Sequence, residues 1–310
     1  MLPAFSAATW SMSGAAIALV AIGIASWKDD VSQARGLDRL EGPGRLCYAV
    51  PLAVFGAEHL SGPQSMLALV PPYMPWRMFW VYLVGLALIA AALSIATRIQ
   101  VRWSGLLVGS MMFLFVAMLH LPGAITDGGR ILWTIVFREL SFGAGGWVLA
   151  GSAMAGTREG QGRVFIHVGR ALIAMTSLVF GVEHFLHPLG LPGVPLLKQM
   201  PPWLPGRAVI DYATGALLIA AGVSFLLARK MRIAAYLGAW IVVLVVAIYG
   251  PVLIGALRNT SAGVQIEGIN YFADTLLFGG VILSLAAVEQ AYSSNRYGES
   301  GNSRWTAGVH

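Results

Sequence analysis

Hydrophobic residues make up 57% of the 310 and charged residues only 11%, a balance that excludes a water-soluble globule, whose composition runs to about one charged residue in four. The net charge of +6 is gathered in short clusters between apolar stretches, which reads as membrane topology and leaves nucleic-acid binding no place. Cys47 is the single cysteine, so an intramolecular disulfide, a CxxC redox pair and a thiolate metal cluster are excluded.

A helix needs roughly 17 to 25 apolar residues to cross about 30 Å of hydrocarbon. Nine such segments follow one another at about 7–27, 46–61, 78–97, 103–121, 131–155, 164–187, 208–228, 233–254 and 269–289. The first lacks the basic start of a secretory signal, its positive cluster beginning at Lys28, and is expected to remain as an uncleaved helix. Lys28, Arg35, Arg39, Arg45, Arg98, Arg102, Arg158, Arg163, Arg229, Lys230, Arg232, Arg296 and Arg304 fall on one side of this arrangement. Only Arg77, Arg130, Lys198, Arg207 and Arg258 fall on the other. Basic residues are retained in the cytosol, so the expected orientation in a plasma membrane has the N-terminus outside and the C-terminus cytosolic. The Ser-, Gly- and Asn-rich stretch 291–310 is expected to form a poorly ordered cytosolic tail.

The chain also repeats itself. Phe55-Gly56-Ala57-Glu58-His59-Leu60 returns as Phe180-Gly181-Val182-Glu183-His184-Phe185, and Gly44-Arg45 as Gly169-Arg170, at an offset of 125. Val70-Pro71-Pro72-Tyr73-Met74-Pro75-Trp76-Arg77 returns as Met200-Pro201-Pro202-Trp203-Leu204-Pro205-Gly206-Arg207 at an offset of 130, the second loop having gained five residues. Matches continue through Tyr82/Tyr212, Gly85/Gly215 and Arg102/Arg232 to the acids Glu139 and Asp274. A tandem duplication accounts for this register. The expected fold is therefore all-α and integral to the membrane: an N-terminal helix and linker (1–43), two parallel four-helix-bundle repeats (44–157 and 158–290) and the tail (291–310).

Ionisable groups in such helices are costly and ask for a reason. Glu58/His59 and Glu183/His184 stand toward the outer end of the first helix of each copy, with Arg77 and Arg207 after the Pro-Pro loops as expected donors. One reading makes each acid-histidine pair a satisfied clamp tying loop to helix; the other makes it a ligand-facing pair. Glu139 and Asp274, early in the last helix of each copy, are expected to approach the histidine of the same copy. His184 and His187 have metal-sharing spacing, but Gly62 stands where His187 has its match, so no metal is expected. The apolar loops carrying Tyr73, Trp76 and Trp203 are read as stiff lids at the outer face or as interfacial anchors.

On these residues the chain resembles the DoxX-like superfamily of four-helix membrane proteins. The pattern runs through Gly56, His59, Pro63, Pro71, Pro72 and Pro75, and again through Gly181, His184, Phe185, Pro188, Pro201, Pro202, Leu204 and Pro205. Leu60 and Met74 replace the family's usual Phe and Leu, and Leu88 and Leu218 stand where many relatives carry a glutamate. The resemblance implies the fold and a link to membrane redox systems. The resulting expectation is an accessory or quinone-linked component that binds a small apolar ligand near the outer face. Its cofactor would be a quinone and its partner a soluble redox protein. The ligand-facing set is His184, Glu183, Asp274, Arg207, Trp203, His59, Glu58, Glu139 and Arg77. A non-catalytic scaffold for a soluble partner, and a carrier for a small solute or proton, are the alternatives; the carrier needs a polar cluster at mid-depth, and the matched polar pairs, expected near one face, count against it.

Overall fold

The computed structural model describes residues 5–33, 39–154, 158–229 and 232–306, with side chains described up to residue 28 in the first helix and residue 290 in the last. Arg35 and Lys230 of the basic count, and residues 307–310, lie outside the described residues.

Nine long helical rods correspond to the nine apolar segments. They are α1 (Ala7–Gln33), α2 (Glu41–Ser61), α4 (Arg77–Thr97), α5 (Val101–Phe115) running on into α6 (Leu121–Asp127), α7 (Arg130–Ser152), α8 (Glu159–Leu186), α9 (Arg207–Leu226), α10 (Arg232–Leu244) running on into α11 (Gly250–Leu257), and α12 (Ala262–Thr306). A short α3 (Pro63–Leu67) follows α2. The backbone of α12 continues through most of the stretch expected to be a poorly ordered tail.

Seven of these rods, not nine, are long and apolar enough to cross a membrane, which makes the chain a multi-pass membrane protein. The two that fall short are α2 and α7. Glu41, Arg45 and Glu58 lie in α2, and Arg130, Arg138 and Glu139 in α7. These charges lower the mean hydropathy, and most are turned toward protein instead of lipid: Glu58 and Glu139 are buried, and Arg45, Arg130 and Arg138 are partly so.

Helix α12 is the central pillar, with 78% of its apolar stretch buried against 44% or less for the other six. It packs along α2, α7 and α10, while α7 packs along α5 and α8. Small residues set these distances, as expected where apolar lipid gives helices little reason to associate beyond close packing. A β-carbon at Gly56 would lie 2.7 Å from Ile89 Cγ1 and 2.8 Å from the Gly85 carbonyl oxygen. At the matching position, one on Gly181 would lie 2.6 Å from Ile219 Cγ1 and 2.9 Å from the Gly215 oxygen. The α2/α4 and α8/α9 pairs are thus packed alike.

The last helices depart from the expected bundles. Gly44 of α2 faces Leu283 of α12, whereas its match Gly169 of α8 faces Val148 of α7. Each first helix therefore lies against the last helix of the other half. Between α2 and α7 the described contact is Tyr48, whose hydroxyl donates to the Phe142 carbonyl at 2.7 Å. The halves are interleaved around the α7/α12 contact.

Gly280 of α12 stands against the Tyr48 and Cys47 backbone, where neither helix can give way, while Gly255 of α11 has open space around it. Gly280→Ala is expected to cost about 1 to 3 kcal/mol through overpacking and Gly255→Ala to cost nothing. Reversible unfolding in mixed micelles measures the difference.

Candidate functional site

Helix α7 places Arg138 and Glu139 near its middle, Glu139 being the tenth of its twenty-three residues. Asp274 is the thirteenth of the twenty-nine in the apolar stretch of α12. Arg138 joins the two central helices: Nη1 donates to Asp274 Oδ2 at 2.7 Å and Nη2 to Glu139 Oε1 at 2.8 Å. Its Nε is buried without a hydrogen-bond partner, and the guanidinium lies 5.8 Å from the Phe142 ring centroid. Glu58, also buried, accepts from Asn270 Nδ2 at 3.2 Å and lies within electrostatic reach of Asp274. Arg138 thus bridges two carboxyls, and a third, that of Glu58, lies within electrostatic reach of one of them. Without bound protons the group holds a net charge of −2, which a low-dielectric interior strongly disfavours.

Two side chains outside the candidate set read from the sequence extend this cluster. His120 interacts electrostatically with Glu139 and Arg138, and Tyr249 with Asp274 and Asp211. Both end widened turns, Val116–His120 and Val245–Tyr249, where the Leu121 and Gly250 amides reach back five residues to the Val116 and Val245 carbonyls. The cause is local. Pro122 and Pro251 follow, and a proline offers no N–H to the preceding turn and crowds its carbonyl. A proline two residues after each position was the signal in the sequence. The outcome is a polar line, His120, Glu139, Arg138, Asp274 and Tyr249, running from one half to the other through a single arginine; Glu139, Asp274 and Tyr249 are buried, His120 and Arg138 half-buried.

The acid-histidine pairs lie elsewhere. His184 is only 1% exposed, and its Nε2 accepts the Gly193 N–H at 3.0 Å. The ring proton is therefore on Nδ1, which faces Asp211 Oδ1 at 3.6 Å. Asp211 Oδ2 accepts the Leu189 N–H at 3.0 Å, and the Tyr249 hydroxyl donates to the Pro192 carbonyl at 2.9 Å. These bonds draw the long second loop into the bundle, where Leu191, Val194 and Met200 are buried. His184 is thus fully occupied in holding that loop. In the first copy, His59 Nδ1 bonds the Phe55 carbonyl of its own helix at 2.7 Å, and Tyr73 and Trp76 of the shorter loop stand exposed.

Arg77 and Arg207, expected opposite the glutamates, instead hold loop carbonyls. Arg77 reaches Val70 at 3.0 Å and Leu67 at 2.6 Å, and Arg207 reaches Met200 at 3.4 Å. Glu183 pairs with Arg130 at 2.8 Å, and Trp203 is exposed. Neither Glu139 nor Asp274 pairs with the first-helix histidine of its own copy, His59 or His184, because the interleaving takes α7 away from α2 and Arg138 takes up both acids. Among the described residues no group of three or more His, Cys, Asp or Glu is arranged to hold a metal ion.

A cavity of about 190 Å³ opens between α1, α2, α11 and α12. Its lining, including Met12, Pro51, Val54, Leu253 and Phe272, is apolar except for Ser13. No family model matches the chain, and no curated protein or solved structure matches it either.

Arg138→Leu leaves buried carboxyls without their cation and is expected to cost about 3 to 5 kcal/mol, read as loss of folded protein on heating in detergent. His184→Ala is expected to release the 187–200 loop, so that limited proteolysis cuts it while the same change at His59 leaves it intact.

Proposed function

We propose that the chain is a nine-span, tandemly duplicated membrane protein of the DoxX-like type that works as a carrier for protons or a proton-coupled small solute. The observation that carries this reading is the mid-depth position of the Arg138, Glu139 and Asp274 cluster at the junction of the two halves. Transporters built from parallel repeats hold their coupling sites at such junctions near the membrane centre. A set of carboxyls exceeding its cations can take up and release protons without large movement of the backbone.

The nine-span reading is supported by the lengths of α2 and α7, 21 and 23 residues, or about 31 and 34 Å at 1.5 Å per residue. The duplication is supported by the matched glycine contacts and by the paired widened turns. With basic residues retained inside, the Pro-Pro loops face outward.

A quinone-linked redox role is the second reading, and the apolar cavity favours it. Its walls suit an isoprenoid chain, and Ala273, one of them, adjoins Asp274 in sequence. The histidines give this reading no support, His184 being committed to Gly193.

Proteoliposomes with a trapped pH dye and an imposed potassium diffusion potential test the first reading. Wild type is expected to acidify the lumen, and Asp274→Asn or Glu139→Gln to slow this about 100-fold. Wild-type vesicles no faster than protein-free ones would remove the carrier. A quinone co-purifying with wild type and lost on filling the cavity with Ala16→Phe would establish the second reading.

A further inference from the structure

The duplication places an internal control beside Glu58. Its match Glu183 is neutralised by Arg130 at 2.8 Å. The position matching Arg130 in the other half is Gln265, an uncharged residue already engaged with Thr9 at 2.8 Å and with the Asn259 carbonyl at 2.8 Å. Among the described residues no cation stands against Glu58. Lys198, at the same end of the molecule, lies 3.7 Å from Glu267. His59 turns Nδ1 to its own helix, and Arg77 is held by the loop carbonyls.

The single polar partner of Glu58 is Asn270, which replaces an apolar residue, Ile135, at the matching position. Asn270 keeps its Oδ1 buried and without a partner. It lies four residues before Asp274, one turn nearer the Pro-Pro end and on the same face of α12. Glu58 is itself three residues from the end of α2, at that same end of the bundle. The polar line thus has one uncompensated carboxyl on its Pro-Pro side and, at the matched place in the other half, a carboxyl closed off by an arginine.

Resting on the carrier reading, we infer that Glu58 is the outermost proton acceptor of the relay, and that protons reach Asp274 from the Pro-Pro side through it. A hydronium ion at that face gives its proton to the Glu58 carboxylate and leaves as water. The carboxylic acid then passes the proton to the Asp274 carboxylate and returns to its charged form, so no other reactant is required. Asn270 is a positioning residue, its amide holding the Glu58 carboxyl toward Asp274. Glu183 has no part in the path.

The test compares initial proton-uptake rates after a pH step on the Pro-Pro side of oriented proteoliposomes. The variants are Glu58→Gln, Glu58→Asp, Gln265→Arg, Glu183→Gln and Asp274→Asn, each checked for its melting temperature. Glu58→Gln is expected to slow uptake at least tenfold, and Glu58→Asp to restore most of it. Gln265→Arg, which supplies the cation that Glu183 enjoys, is expected to slow uptake with the carboxyl still present, and Glu183→Gln to leave the rate within twofold. Should Glu183→Gln fail to fold, Gln265→Arg and Glu58→Asp still decide the matter. If Asp274→Asn stops uptake while Glu58→Gln and Gln265→Arg run at the wild-type rate, the assignment of Glu58 is overturned and the carrier stands. If Asp274→Asn changes nothing, the carrier reading itself falls.

Discussion

One guanidinium holds the centre of this molecule. Arg138 reaches Asp274 and Glu139 at once and so ties α7 to α12, the two helices around which the others are arranged. Its two Nη atoms are taken up by the acids while its Nε stays without a partner, and breaking such a buried pair leaves an uncompensated charge inside the protein. Small residues let α2, α5, α8 and α10 approach these helices closely. Packing and charge are therefore coupled: close helix contact brings both acids to Arg138, and removing Arg138 would leave those carboxyls with no cation.

Interleaving changes what the duplication means. Two bundles side by side would each own an acid and a histidine. Here α2 lies along α12 and α8 along α7, and Arg138 reaches the acids of both α7 and α12. Matched positions have different surroundings: Arg130 pairs with Glu183, whereas Gln265, at the position matching Arg130, engages Thr9 and Asn259 and no cation among the described residues stands against Glu58, so the half that holds Glu183 is the more closed. In the closed half, His184, Asp211 and Tyr249 hold the longer loop inside the bundle. In the other half, Pro51 lines an apolar cavity, while at its matching position Thr176 donates to the Phe137 carbonyl at 3.0 Å.

Some of the site was legible in residues alone. Glu58, Glu139 and Asp274 stood out because charges inside apolar segments are expensive. His120 and Tyr249 share no chemistry at their matched positions, although the prolines two residues after them mark matched, widened turns. Arg77 and Arg207 were assigned to the glutamates on proximity in sequence, but loop carbonyls lie closer and compete for the same donors. The sequence admits both a clamp and a ligand-facing reading of His184, and the folded loop favours the clamp, with Nε2 occupied by the Gly193 N–H.

The sequence by itself determined the medium, the helices and the register of the repeat. Those follow from hydropathy, from proline and glycine placement and from local spacing, all of which act over a few turns of chain. The tertiary structure alone decided which copy each helix serves, because contacts between α2 and α12 join residues more than two hundred positions apart. It also decided which charge meets which. A guanidinium has five donors and a long reach, and nothing in the order of residues says whether Arg138 turns to its neighbour in sequence or, as here, also to an acid 136 residues away.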